Sequence, residues 1–160
     1  MDKPYEVMLL ADRPDLAPKW SELHWREWGD EPGREELAWW VNSAMQYVER
    51  TQLPVAFIAV SDRGDVLGGV GLQEYDLEER RDRSPWVVGT IIRPDQRNAG
   101  IGQAFMARLS AWAAEAGITQ LWVATGGRAI RFYQRCGFAV VETVQKQAGG
   151  EATVLTKQLS

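Results

Sequence analysis

The chain has 160 residues, 45% hydrophobic and 25% charged, with a formal net charge of −4. That is about one domain's length, enough to bury a full core without staples, and its acidic balance disfavours nucleic acid or an anionic membrane surface as a partner. One cysteine, Cys136, and one histidine, His24, exclude a disulfide framework and leave too few ligands for a Cys- or His-based metal site, so no metal is expected.

No segment reaches the ~18 apolar residues of a membrane span. The start, MDKPYEVMLLADRPD, lacks the basic start, long apolar core and cleavage site of a signal peptide, so a cytoplasmic location is expected. Tyr5 to Leu10 reads as a strand. Asp12-Arg13-Pro14-Asp15 reads as a turn into a helix with Asp15 as N-cap. Leu16, Trp20, Leu23 and Glu27 keep helical spacing up to Gly29. After the loop Asp30 to Gly33, a second helix is expected over Arg34 to Arg50, with Leu37, Trp40, Val41, Ala44 and Val48 on one face. The chain holds eight tryptophans. Trp25, Trp28 and Trp39 cannot all face the core if Trp20 and Trp40 do, so some are left for a cleft or a partner surface.

Pro54 to Val60 and Val66 to Leu72 read as a hairpin about Asp62-Arg63-Gly64-Asp65. The returning strand carries Gly68, Gly69 and Gly71, a sign of a bulge or of close approach by another group. Gln73 to Ser84 is a polar, charged loop. Val87 to Ile92 is a β-branched strand stopped by Arg93-Pro94. A helix follows from near Ile101 to Gly117, then a strand over Ile118 to Thr125, a short helix over Arg128 to Cys136 closed by Gly137, and strands over Phe138 to Val144 and Thr153 to Leu159. No repeat or linker divides the chain. The expectation is a single α/β (α+β) domain over 1–160, a mixed central sheet of about six or seven strands flanked by helices on both faces, in the order βααβββαβαββ.

Residues 85 to 104, PWVVGTIIRPDQRNAGIGQA, carry the main chemical signal. A strand, a glycine-bearing turn and a helix in succession make an anion site. The first helical N–H groups lack intrahelical partners and lie at the positive end of the dipole. Glycine lets that backbone approach a phosphate closely, and Arg97 offers a charge-assisted contact. Neither G-x-x-x-x-G-K-[ST] nor a G-x-G-x-x-G opening a βαβ unit is present, which argues against other nucleotide binders.

Arg97-Asn98-Ala99-Gly100-Ile101-Gly102 resembles the R/Q-x-x-G-x-G/A signature of the GCN5-related N-acetyltransferase (GNAT) superfamily. Ala129 to Phe138, AIRFYQRCGF, resembles its second motif, A-x-x-F-Y-x-x-x-G-F, and the element order is similar to the family fold over essentially the whole chain. The string QEYDLEERRDRSPWVVGTIIRP is similar to a bacterial branch in which an acidic loop precedes a Pro-Trp strand start. The resemblance implies a small bacterial GNAT protein transferring an acetyl group from acetyl-CoA to an amine. It implies that Arg97, Asn98, Ala99, Gly100, Ile101 and Gly102 hold the pyrophosphate, and that Ile91 and Ile92 offer backbone to the pantetheine arm. One departure is Gly126, which stands where many members carry an Asn; Thr125 is the candidate replacement.

By motif position Tyr133 matches the family's general acid, so the resemblance implies that it protonates the leaving thiolate. A phenol, with pKa ~10, can protonate a thiolate of pKa ~8.5. The alternative is a core aromatic, a role Phe132 already fits. The attacking amine needs a base, and the candidates are Glu74, Asp76, Glu27 and His24, with Glu74 favoured. Glu74 and Asp76 share one face of an extended chain, although EYDLEERRDR also reads as a solvated mixed-sign run. His24 and Trp28 are candidates for the acceptor wall. For His24 the bland alternative is a half-buried ring packed on an aromatic. Cys136 reads as a small helix-end residue rather than a nucleophile.

The favoured acceptor is a small cationic amine, a metabolite or an antibiotic-like compound. The alternatives are a protein N-terminal or lysine acetyltransferase and a non-catalytic acyl-CoA sensor. Neither nucleic acid nor membrane is an expected partner, and the C-terminal strands and spare tryptophans leave room for a homodimer.

Overall fold

In a computed structural model, described over residues 4–159, the strands form a seven-stranded mixed sheet in the order β1-β2-β3-β4-β5-β7-β6. The strands are β1 (Tyr5–Leu9), β2 (Val55–Ser61), β3 (Val66–Gln73), β4 (Trp86–Ile92), β5 (Gln120–Thr125), β6 (Ala139–Gln145) and β7 (Glu151–Gln158). The helices are α1 (Ala17–Trp28), α2 (Leu37–Ala44), α3 (Ile101–Glu115) and α4 (Ala129–Arg135). The expected order βααβββαβαββ is therefore the observed one. The chain clusters into two compact units, one of residues up to Gly71 with Gly89–Leu109, the other of Leu72–Val88 with the residues from Ser110 on.

In the first unit β1 pairs antiparallel with β2, from Tyr5 opposite Ser61 to Leu9 opposite Phe57. Val55 to Val60 are buried without interruption, the pattern of a strand covered on both faces. The hairpin turn is tied by Ser61, whose Oγ accepts from the N–H groups of Arg63 and Asp65 at 3.2 and 3.0 Å. The buried stripe of α3 opens with Ile101, Phe105, Met106 and Leu109, a helical period.

Close approach accounts for Gly68 and Gly69 of β3. A Cβ on Gly68 would stand 2.5 Å from the Ile91 carbonyl oxygen, and one on Gly69 would stand 2.4 Å from Trp20 Nε1. The indole of Trp20 lies in the gap left at Gly69.

Three local expectations are corrected. Asp15 caps nothing; its carboxylate receives Arg13 Nε and Nη2 at 3.0 and 2.8 Å, and a single 3-10 turn over Pro14–Leu16 leads into α1. The second helix is shorter than Arg34 to Arg50. It spans Leu37–Ala44, then tightens into a 3-10 turn over Met45–Tyr47. Trp40 and Ala44 are buried but Leu37 is exposed, so periodicity overstated that face. The buried row of α1 also differs from the Leu16, Trp20, Leu23, Glu27 row. It runs through Leu16, Ala17, Trp20, Ser21 and His24. Ser21 is compatible with burial because its Oγ donates to the Ala17 carbonyl at 2.7 Å.

In the second unit β5 pairs with β7, and β7 with β6, both antiparallel. The first residues of β4 join β5 in parallel, Trp86 opposite Trp122 and Val87 opposite Val123. Leu77, Trp86, Val144, Ala152 and Val154 form a core cluster, with Val88, Trp122 and Ala124 against it. The α4 helix ends at Gly137, where φ is +96°, as the glycine there predicts.

Candidate active site

The strand-turn-helix of the first unit has the conformation its glycines suggest. After Pro94–Gln96, a single 3-10 turn, Asn98 and Gly100 both take positive φ, 64° and 84°. Nothing lies within 4 Å of where a Cβ on Gly100 would be, so glycine serves the left-handed backbone there rather than the space. Arg97 to Gly100 are exposed, and Ile101 and Gly102 are buried at the first turn of α3. The Gly100 carbonyl accepts the first helical bond, from Ala104 N–H at 3.1 Å. The N–H groups ahead of Ala104 are those that a helix leaves without partners in its first turn. Arg97 donates from Nε to the Ile92 carbonyl at 3.3 Å and sits 3.7 Å from the Glu27 carboxylate. Glu27 is thus the counter-ion of Arg97, which sets it apart from the other base candidates.

Strand β4 changes character at Gly89. Its pairing with β5 covers Trp86 and Val87. Gly89 then takes φ 63°, and beyond Ile92 the Arg93 N–H donates to the Leu67 carbonyl at 2.8 Å. Sequence reasoning missed Gly89. The signal was present, a glycine within the β-branched run VVGTII, and it marks a kink by the same rule applied to β3.

His24 is 7% exposed, deeper than a half-buried surface ring. Trp20 meets it edge-on with ring centres 4.8 Å apart, and Trp28 stacks on it at 5.6 Å. Its Nε2 lies 2.7 Å from the Gly89 carbonyl oxygen. Burial pushes its pKa down from 6.5 to about 4, with the Gly89 carbonyl opposing, so the ring is neutral at pH 7. A carbonyl only accepts, so Nε2 carries the proton and Nδ1 the lone pair. Trp28 is partly buried and Trp39 is 41% exposed with Arg34 over its ring at 4.7 Å.

Tyr133, Thr125, Glu74 and Asp76 all lie in the second unit. Tyr133 is buried, with Phe138 edge-on at 5.5 Å, while Phe132 is only partly buried. The helix therefore turns Tyr133 inward, and the assignment of the core role to Phe132 is corrected. Thr125 pairs with Thr153 at the end of β5, and the exposed Gly126 and Gly127 follow. Glu74 is exposed just beyond β3. Asp76 is exposed by area, yet desolvation of its carboxyl raises its pKa, with Lys146 opposing; the raised pKa reflects local crowding rather than full burial.

In the charged run that follows, Glu78, Arg81 and Asp82 stay exposed, but Arg80 and Arg83 are tied down. Arg80 donates from Nε and Nη2 to the two oxygens of Glu142 at 3.1 and 2.7 Å. Arg83 Nη1 stands 2.6 Å from Glu142 Oε2, an ion pair too poorly angled to count as a directed hydrogen bond. The Arg83 guanidinium also lies over the Trp122 ring, 4.7 Å from its centre. Arg80 first, then Arg83, hold the Glu142 carboxyl at a pKa of about 2. Sequence reasoning missed these arginines because their shared partner lies on β6, 62 positions beyond Arg80. Among the described residues no group of His, Cys, Asp and Glu could hold a metal ion, and no helix is long and apolar enough to cross a membrane.

Comparison with known families places the chain. Residues 15–138 match the model of the acetyltransferase (GNAT) family, and the chain belongs to that family. Comparison with curated proteins gave no sequence match. Among solved structures, an aminoglycoside 6'-N-acetyltransferase complexed with coenzyme A superposes with a TM-score of 0.78 at 14% identity, covering 97% of both chains. A variant of the spermidine N-acetyltransferase SpeG from Vibrio cholerae gives 0.72 at 14% identity, covering 99% of this chain and 96% of that one. Nourseothricin acetyltransferase gives 0.56 at 25% identity over 66% of this chain and 65% of its own.

Proposed function

We propose that the protein transfers the acetyl group of acetyl-CoA to a small cationic amine. The observation that carries the reading is the exposed turn from Arg97 to Gly100, held open by positive φ at Asn98 and Gly100, at the start of a 15-residue helix in a member of the GNAT family. Its amides and Arg97 bind the pyrophosphate, and Ile91 and Ile92 offer backbone to the pantetheine arm. Thr125 supplies a polar contact that Gly126 cannot. Arg97 exchanges Glu27 for the phosphate when the cofactor binds.

In the reaction the neutral amine attacks the thioester carbonyl and the carbon–sulfur bond breaks. Tyr133 gives its phenolic proton to the departing thiolate, and Glu74 takes the proton of the amine, directly or through water. Asp76 adds negative charge for a cationic acceptor. Trp28 contributes an aromatic surface from the end of α1, and His24 lies behind it. The acidic net charge and the amine substrates named for the aminoglycoside and spermidine enzymes support a small basic acceptor. The whole chain acts as one catalytic domain, in the cytoplasm, without a metal.

Free-thiol release from acetyl-CoA over a panel of aminoglycosides, polyamines and amino acids tests this. Thiol release with at least one basic amine is expected. Tyr133→Phe should retain CoA affinity and lower turnover by about 10² to 10⁴, the usual worth of a general acid. An unchanged rate in that variant removes Tyr133 from the mechanism.

A further inference from the structure

We propose that His24 is a positioning residue for acyl transfer: its Nε2–H, bonded to the Gly89 carbonyl, fixes the bend of β4 from which Thr90 to Ile92 leave toward the acyl carrier. This rests on the transfer reading above, but the bond itself is a feature of the ligand-free fold.

In a continuous strand a carbonyl is taken by the neighbouring ladder. At Gly89 φ is 63°, outside the extended range, and the backbone bends there within the strand. A buried carbonyl needs a donor. The imidazole supplies one at 2.7 Å. The ring is fixed from both sides along its own helix, with Trp20 edge-on and Trp28 stacked. Trp20 in turn is seated by the missing Cβ of Gly69. A Cβ on Gly89 would stand 3.3 Å from His24 Nε2 and 3.7 Å from Trp20 Cζ2, so the two glycines and the aromatic row of α1 fit as one assembly. The bend lies two residues past the last β5 pair, at Val87, and four residues before the Arg93 bond to Leu67. The His24 bond therefore holds the strand between those two anchors.

This assigns His24 a role other than touching the acceptor or serving as base. A neutral ring whose only N–H is spent on a backbone carbonyl has no proton to give as an acid, and burial, which holds its pKa at about 4, makes its Nδ1 a weak base at pH 7. Its contribution to the reaction is the direction of the strand.

The test compares His24→Phe, which keeps an aromatic without the donor, with His24→Gln, whose amide N–H can stand near the position of Nε2. In the ligand-free full chain, hydrogen exchange at residues 88–93 should accelerate in the Phe variant and return toward wild type in the Gln variant. With acetyl-CoA and an accepted amine, the Phe variant should lose on the order of tenfold in kcat, inside the ~10²-fold that a misplaced geometry costs. The KM for the amine should stay unchanged, and Gln should recover most of the rate. A change confined to the amine KM would make His24 an acceptor contact and overturn the proposal. So would a Gln variant as slow as Phe, or unchanged exchange at 88–93. Imidazole nitrogen NMR on the wild-type protein decides the bond even if a variant does not fold: protonated Nε2 is expected, and protonated Nδ1 overturns it. Failure of the wild-type protein to bind CoA would overturn the transfer reading instead, and is seen before any variant is compared.

Discussion

At the scale of single residues, charge state and backbone geometry decide what each group contributes. His24 is the clearest case. Its folded pKa of about 4 lies below the ordinary 6.5, so the unfolded chain binds the extra proton between those values. Stability is then complete above pH 6.5 and falls as pH drops toward 4, by on the order of 3 kcal/mol in all. Denaturant titrations across that range should show this limb in the wild type and lose it in His24→Phe. Gly69 gives a second residue-scale prediction. An added methyl would meet Trp20 Nε1 at 2.4 Å, and Trp20 is only 2% exposed, so it has little room to shift. Gly69→Ala should cost about 1–3 kcal/mol, the usual penalty of overpacking, read as a lower Tm. Gly100→Ala meets no atom, and only its left-handed backbone is penalised.

At the scale of elements, the segment from Gln73 to Ser84 behaves differently from its composition. Leu77 joins the core cluster, Trp86 Nε1 donates to the Arg83 carbonyl at 2.7 Å, and Glu79 accepts from the Gln147 N–H at 3.0 Å. Arg80 and Arg83 converge on Glu142 of β6. The Glu142 carboxyl titrates near 2 in the folded chain against an ordinary 4.5. Its stabilisation is present above pH 4.5 and is lost as pH falls through about 2. Glu142→Gln should remove that acid limb and speed hydrogen exchange in residues 74–84 at neutral pH; exchange equal to wild type would mean that the segment is held without the ion pairs, by Leu77 and the hydrogen bonds of Glu79 and Trp86. Element β4 shows a related lesson. Its residues look like one apolar strand, yet Gly89 divides it into a part paired with β5 and a part that runs on to Arg93.

At the scale of the whole molecule, family membership and the match to GNAT structures over nearly the full chain lead to a ligand prediction. A ligand that binds only the folded chain stabilises it, so CoA at a hundredfold excess over Kd should do so by about 2.7 kcal/mol, several degrees in Tm for a chain of this size. No shift at millimolar CoA would count against both the cradle and the transfer reading. Acetyl-CoA should match CoA in this assay, since the pyrophosphate and pantetheine contacts are shared.

The sequence alone determined the order of elements and the family, and it pointed to the glycine-bearing turn from Arg97 to Gly102 and to the motif around Tyr133. Those signals are local: a β-branched run stopped by proline, glycines at the mouth of a helix, and fixed motif spacing all act within a few positions. Only the tertiary structure decided which face of α1 is buried, because that depends on room made by Gly69 and Gly89 on strands far along the chain. It decided that Tyr133 rather than Phe132 turns inward, since adjacent aromatics on a seven-residue helix look alike until packing chooses between them. It decided that the charged loop is docked and that His24 is neutral. Ion pairs and pKa values are set by partners brought together in space, and no local pattern in the chain carries that information.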